Sequence, residues 1–100
     1  MYEIHWSAEA EADFLALPVF QRPRVATAVE GWRHAAEVET RNRKPLERVL
    51  DQLPAARWNL RVGDLRVLYR IIEGPAVQIL RVILKGTSTT DEALARSVKP

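Results

Sequence analysis

The sequence predicts an α+β fold in which an amino-terminal strand and a helical hairpin pack on an antiparallel sheet of about four strands. Three observations predict it. The stretch 58–85 contains three strand-length runs rich in Val, Ile, Leu and Tyr. Two segments with apolar residues at helical spacing precede this stretch. The first six residues alternate apolar and polar side chains, which is typical of a half-buried strand.

The amino-terminal part begins with a strand and continues with two helices. A first helix is expected after Ser7, a favourable N-cap, and should end before Pro18, which disfavours helical backbone in the residue that precedes it. Pro23 suits the first turn of a second helix, whose apolar residues keep helical spacing to about Val38. The two helices should form a hairpin whose apolar stripes cover one face of the sheet.

Two further segments flank the sheet strands. Residues 40–44 (TRNRK) indicate a polar, basic connector, and the apolar residues from Leu46 to Leu53 indicate a short helix or an irregular turn. After the last strand, Thr89 and Glu92 have the spacing of a capping box, which predicts a carboxy-terminal helix of about two turns.

The turn residues of the stretch 58–85 predict how its strands pair. Gly63-Asp64 indicates a two-residue hairpin turn, because Gly takes positive φ without steric cost. The pairing then continues through Gly74-Pro75. The predicted pairs are Val62 with Leu65, Arg61 with Arg66, Trp58 with Tyr69, Leu68 with Arg81 and Asp64 with Lys85.

This register divides the side chains between two faces of the sheet. The face predicted to lie under the helices holds Trp58, Leu60, Val62, Leu65, Val67, Tyr69, Ile71, Leu80, Val82 and Leu84. The other face holds Asn59, Arg61, Arg66, Arg70, Arg81 and Lys85, with Leu68, Ile72, Val77, Ile79 and Ile83 among them. Its cations have two interpretations: a solvated or carboxylate-paired surface, or a site for a polyanion.

Composition limits the class of protein. The 100 residues, 47% hydrophobic and 28% charged, predict a single soluble domain spanning residues 1–100. The absence of Cys excludes disulfides and thiolate chemistry, and we expect neither a metal nor a cofactor. With no signal peptide and no apolar run near the roughly 20 residues that span a bilayer, we expect a cytoplasmic protein without membrane contact.

Charge is distributed unevenly along the chain. Residues 1–40 carry three Arg and seven carboxylates, whereas residues 41–100 carry twelve Arg or Lys and six carboxylates. A basic carboxy-terminal part indicates an anionic partner, either a nucleic acid or an acidic protein segment.

The order strand, helix, helix and meander, with L-R-V-G-D-x-R-V-x-Y-x-I and I-L-R-V-x-x-K in the meander, resembles the RelE/ParE superfamily of bacterial toxins. The resemblance runs from Tyr2-Glu3-Ile4 through Lys44-Pro45-Leu46 to the sheet. It implies the toxin of a type II toxin–antitoxin module, a growth inhibitor that a cognate antitoxin neutralises. The Leu17-Pro18 break between two short helices favours the RelE branch, whose members cut mRNA on the ribosome.

The resemblance also implies site residues. Arg61 matches the family's phosphate-stabilising arginine, and Lys85 lies where the family often has Lys or His; these two are the catalytic candidates. The RNA-binding candidates are Lys44, Arg66, Arg81 and Arg43.

One part of the family pattern is missing. Catalytic members usually carry a further Arg and then a Tyr or His after the last strand, but residues 86–90 contain none of these. Lys85, Glu47 and Asp64 remain as candidates for proton transfer, since Arg does not act as a base at neutral pH. Three functions stay open: an mRNA endoribonuclease, a ParE-like inhibitor of DNA gyrase, and a catalytically degenerate protein that only binds antitoxin.

Overall fold

The structure, a computed structural model, describes residues 2–31 and 36–84. In this part of the chain two helices pack on one face of a five-stranded sheet. In chain order the elements are β1 (Glu3–Trp6), α1 (Ala8–Ala16), a 3₁₀ turn (Val19–Gln21), α2 (Arg22–Glu30), β2 (Arg43–Pro45), β3 (Trp58–Val62), β4 (Leu65–Ile72) and β5 (Ala76–Leu84).

The strands lie in the order β1-β5-β4-β3-β2. Strand β1 runs parallel to β5, and every other neighbouring pair is antiparallel. The predicted α+β class is therefore confirmed. The sheet is mixed and has five strands, where about four antiparallel strands were expected.

The additional strand is β2, in the segment predicted to be a connector. Its three residues pair with β3, with Lys44 opposite Asn59. Three residues are too few to show the alternation that indicates a strand, so only the pairing with β3 defines it. The next segment forms turns with a single bridge between Leu50 and Leu53, which agrees with the irregular turn and not with the helix.

The predicted register is right for β3 with β4 and changes once between β4 and β5. All three predicted pairs of the first hairpin are present, and Leu68 lies opposite Arg81 as expected. Nearer the second turn, however, Tyr69 pairs with Ile79, and Leu80 is an extra residue in a β-bulge. The second turn has three residues, 73–75, and the bulge compensates for the additional one.

The bulge moves three side chains to the opposite face from the one predicted. Val77 and Ile79 are fully buried in the core beneath the helices, whereas Leu80 packs on the other face with Leu68. The prediction for these three residues was wrong because one inserted residue reverses the alternation on its turn side.

Ser7 joins the first helix to this bulge. Its hydroxyl accepts a hydrogen bond from the backbone N–H of Ala10 at 3.0 Å, which makes it the N-cap of α1, as predicted. The same hydroxyl donates to the carbonyl of Leu80 at 3.0 Å, and the N–H of Ser7 donates to the carbonyl of Ile79 at 2.9 Å. These bonds fix α1 against the second half of β5.

Two apolar clusters lie on opposite faces of the sheet. The larger one joins the helices to residues such as Val67, Tyr69 and Ile79. The smaller one forms where the turns of residues 46–56 cover Leu68 and Ile83. The second face is therefore covered in part, and its open area lies at the corner formed by β2, β3 and β4.

Helix α2 is shorter than the sequence predicts. Helix α2 ends at Glu30, and Val38, expected near its end, is exposed outside any helix. The predicted carboxy-terminal helix lies outside the residues that the structure describes. No helix within residues 2–31 and 36–84 is long and apolar enough to cross a membrane.

Candidate functional site

A polar cleft of about 260 Å³ opens at the corner where β2, β3 and β4 meet. We call it the cationic cleft. Its lining residues are Arg41, Asn42, Lys44, Asn59, Arg61 and Arg66. Four of these side chains are cations and two are amides, whereas no carboxylate of residues 2–31 and 36–84 lines the cleft. This composition favours an anionic ligand with several acceptor oxygens.

Strand register brings these side chains together. Arg61 pairs with Arg66, and Lys44 pairs with Asn59. Because residues two apart on a strand share a face, Asn59 and Arg61 point to the same side of the sheet. The N–H of Arg61 also donates to the carbonyl of Asn42 at 2.7 Å, which holds Asn42 beside β3. Three neighbouring strands thus present their polar side chains to one space.

Arg66 is the most rigidly held cation of the cleft. Its residue is only 6% exposed, and its NH1 donates to the carbonyls of Gly63 and Leu65, each at 2.9 Å. Burial lowers the pKa of Arg66, the positive charge of Arg61 lowers it further, and Asp64 opposes both effects. An arginine nevertheless stays charged at neutral pH. The cleft therefore has a fixed positive charge at its floor.

Arg61 is exposed and forms no ion pair or side-chain hydrogen bond with any residue in the described part of the chain. It lies directly opposite Arg66. Like charges in such a pair cost roughly 0.2–1 kcal/mol. An anion bound between the two guanidinium groups would remove this repulsion, so the pair is suited to binding a ligand and contributes nothing favourable to folding.

Arg81, expected with the other cations, is paired with a carboxylate. Its Nε and NH2 donate to the two oxygens of Asp13 in α1, at 2.6 and 2.9 Å. Asp13 also accepts a hydrogen bond from the N–H of Val82 at 2.9 Å. The hydrogen bonds to Asp13 raise the pKa of Arg81, although burial opposes them. Arg81 does not line the cleft, because it is paired with a helix carboxylate, and its role in RNA binding stays a prediction.

The remaining candidates are placed as follows. Lys44 lines the cleft. Arg43, its neighbour on β2, does not: it lies opposite Leu60, on the face beneath the helices, and its NH1 donates to the carbonyl of Val38 at 3.1 Å. Alternation along β2 separates the two residues. Lys85 lies outside the described residues.

The site residues selected from the sequence do not include three residues that line the cleft, namely Arg41, Asn42 and Asn59. Asn59 was placed on the correct face by alternation, and that signal was sufficient to include it. Arg41 and Asn42 reach the cleft because β2 pairs with β3, which three residues of sequence do not predict. Among residues 2–31 and 36–84, no group of three or more His, Asp or Glu side chains is arranged to hold a metal ion.

The fold and the cleft can be compared with known proteins. The chain is 32% identical to a chain of the RelBE2 toxin–antitoxin complex from Mycobacterium tuberculosis, covering 81% of this chain and 94% of that one with a TM-score of 0.52. The chain belongs to the RelE/ParE superfamily. Neither the family models nor the curated proteins provide a match.

Two more distant structures share the fold of this superfamily member. The RelE–RelB complex from Pyrococcus horikoshii OT3 matches at a TM-score of 0.68 and 17% identity, over 87% of this chain and 98% of that one. The isolated Escherichia coli RelE toxin matches at 0.62 and 18% identity, over 98% and 96%. Two helices packed on a mixed sheet are thus common to these proteins.

Proposed function

We propose that this superfamily member is a toxin that inhibits translation by cleaving mRNA on the ribosome. The observation that carries the proposal is the cationic cleft, where four cations and two amides converge and none of the described carboxylates is present. An RNA phosphate is an anion of matching chemistry. Membership of a superfamily that includes toxins of toxin–antitoxin modules supports the biological role.

The proposed reaction is attack by a ribose 2′-hydroxyl on the adjacent phosphate. The new P–O bond forms as the bond to the 5′-oxygen of the next nucleotide breaks. In the transition state, negative charge increases on the non-bridging oxygens of the phosphate. Arg61 is exposed at the cleft and would stabilise this charge, while the fixed guanidinium of Arg66 would orient the phosphate. Lys44 would bind a phosphate oxygen or a neighbouring phosphate.

Proton transfer needs other groups, because the arginines hold their protons at neutral pH. Of the three sequence candidates, Asp64 is close enough to raise the pKa of Arg66 and lies in the β3–β4 turn. Glu47 lies beyond Lys44, in a neighbouring cleft. Lys85 remains a prediction from the family resemblance. We therefore assign Arg61 a charge-stabilising role. The general base that accepts the proton of the 2′-hydroxyl would be a group of the ribosome or one of these three residues.

The decisive experiment maps mRNA ends in cells that express the protein. Primer extension should reveal discrete new 5′ ends with the wild-type protein. Arg61→Ala should reduce cleavage at least about 100-fold, the usual cost of removing one charge-stabilising donor. Growth arrest with intact mRNA, together with inhibited supercoiling by purified gyrase, would instead favour the ParE-like function.

Arg70→Ala is the matched control for this experiment. Arg70 lies on β4, on the same face as Arg66, but its Nε donates to Gln78 at 2.6 Å and it does not line the cleft. Its replacement should leave the pattern of mRNA ends unchanged. Full growth arrest and unchanged mRNA ends with Arg61→Ala would contradict the role of Arg61.

We also propose a cognate antitoxin as a partner, and the cytoplasm as the compartment in which both proteins act. The apolar side of an amphipathic antitoxin segment would suit the exposed apolar side chains at the helix hairpin, among them Leu15, Val19 and Phe20, and its acidic residues would suit the cations of the sheet. The complexes from M. tuberculosis and P. horikoshii support such a partner. Co-purification with the product of the neighbouring gene tests it, and failure of every neighbouring product to bind would count against it.

A further inference from the structure

Lys44 is the described residue of the cationic cleft whose side chain ends in an amine, since the other three cations are arginines. A deprotonated lysine amine is a nucleophile towards carbonyl carbons, whereas an arginine holds its proton at neutral pH. Lys44 is exposed, and its side chain forms no ion pair or hydrogen bond with any residue in the described part of the chain. Neither burial nor a described partner therefore keeps this amine from a reagent.

Lys44 lies between two different surroundings. On one side is the cationic cleft, where Arg61 and Arg66 offer guanidinium groups that match the oxygens of a phosphate. On the other side is an adjoining cleft of about 310 Å³, to which Leu46 and Leu50 contribute apolar side chains. Pockets for drug-sized ligands have volumes of roughly 300–1,000 Å³, so spaces of this size suit a small ligand. A ligand with a phosphate at one end and a short carbon chain at the other would place its middle beside Lys44.

We propose that the cationic cleft binds acyl phosphates, in which a carboxylic acid and phosphoric acid share an oxygen, and directs their acyl group to Lys44. The arginines would hold the phosphate, and the acyl chain would extend towards the adjoining cleft. The carbonyl carbon between them would then lie beside Nζ of Lys44, and such proximity raises the rate of a reaction. The inference does not depend on RNA cleavage, because it requires only that the cleft binds a phosphate.

The proposed reaction is an acyl transfer. Lys44 loses a proton to water, and its Nζ attacks the carbonyl carbon. The new C–N bond forms as the bond from that carbon to the bridging oxygen breaks, and the phosphate leaves with the electron pair and one further proton from the nitrogen. Arg61 and Arg66 would stabilise the charge of the departing phosphate. The product is a neutral amide, so acylation would leave three of the four described cations of the cleft.

The test uses the purified full chain and acetyl phosphate, with mass spectrometry of proteolytic peptides to follow the acetylation of Lys44. The rate should saturate as the acetyl phosphate concentration rises, because a binding step precedes the transfer. Inorganic phosphate should compete for the cleft and lower the rate. Below saturation, Arg61→Ala should lower it about tenfold, the order expected for one lost charge-assisted hydrogen bond.

Two controls separate binding of the phosphate from reactivity of the amine. Acetic anhydride transfers the same acyl group without a phosphate, so its reaction with Lys44 should change little in Arg61→Ala or with inorganic phosphate. Arg70→Ala should react with acetyl phosphate like the wild-type protein, because Arg70 does not line the cleft.

Two results would overturn the inference. One is a rate at Lys44 that rises linearly with acetyl phosphate and does not respond to inorganic phosphate or to Arg61→Ala. The other is equal slowing of both reagents by Arg61→Ala, because the arginine would then affect the amine and not the binding of the phosphate. Neither result would bear on mRNA cleavage, which primer extension tests separately.

Discussion

Arginine side chains at two places on the same sheet have opposite electrostatic environments. At one, Arg81 is bound through both oxygens of Asp13 and is largely withdrawn from solvent. At the other, Arg61 and Arg66 face each other across β3 and β4, and no carboxylate in the described part of the chain lines the space between them. The first arrangement connects a helix to a strand. The second holds two positive charges that repel each other at an open cleft, which is expected of a binding site for an anion.

The comparison shows why a sequence count of basic residues overestimates a site. Side-chain alternation along the strands puts three arginines, Arg61, Arg66 and Arg81, on the same face of the sheet. What separates them is the α1 helix, which brings Asp13 to the place on β5 where β1 no longer pairs. There the carboxylate satisfies both the N–H of Val82 and the guanidinium of Arg81. Only an arginine beyond its reach can serve an external anion.

The largest expected effect concerns the paired arginine. Asp13→Ala leaves the guanidinium of Arg81 without its carboxylate and removes the acceptor of the Val82 N–H. Breaking a largely buried pair of this kind should lower the free energy of unfolding by about 3 kcal/mol. Urea denaturation checks it, with Asp51→Ala, at an exposed carboxylate, as the control. A loss below about 1 kcal/mol would mean that the pair is no stronger than a surface salt bridge.

An intermediate effect is expected at the turn that carries Arg66. Gly63 has φ of 60°, and a Cβ added there would lie 3.1 Å from NH2 of Arg24. Gly63→Ala should therefore cost about 1–2 kcal/mol and should disturb the carbonyl that holds Arg66. Gly31→Ala is the control, because Gly31 has φ of −61° and its added Cβ would approach no atom of the described residues closer than 3.4 Å. Equal stability of the two variants, measured by thermal unfolding, would show that the turn tolerates the side chain.

The smallest effect is expected for the unpaired arginine. Arg61→Ala removes no ion pair with the described residues and relieves the repulsion on Arg66. The free energy of unfolding should change by no more than about 0.5 kcal/mol, with any change towards higher stability. Urea denaturation beside Arg81→Ala, which should be clearly less stable, makes the comparison. Comparable losses in both variants would remove the distinction between a binding and a structural arginine.

Local patterns predicted a large part of the fold. Gly63-Asp64 and the alternation around it were sufficient for the β3–β4 register, and Ser7 and Pro18 for the limits of α1. Both depend on neighbours in the chain. The bulge at Leu80 was not predictable in this way. The carbonyl of Leu80 accepts a hydrogen bond from the hydroxyl of Ser7, which is far away in sequence.

The candidate site was predicted only in part. Alternation placed Arg61, Arg66 and Asn59 on one face, and family resemblance selected Arg61. Arg41 and Asn42 come to the cleft through the pairing of β2 with β3, a strand too short to leave a periodic pattern. The fate of Arg81 depended on Asp13, which is 68 residues away in sequence.

By itself, the sequence determined the fold class, the hairpin register and the positive charge of the carboxy-terminal part. These features follow from turn residues, side-chain alternation and composition, which act over a few residues or over the whole chain. The tertiary structure alone decided which cations stay open to a ligand, because that depends on carboxylates and edge strands brought together from distant parts of the chain. Helix α1 supplies the carboxylate that pairs with Arg81, and β2 completes the cleft that Arg61 and Arg66 line.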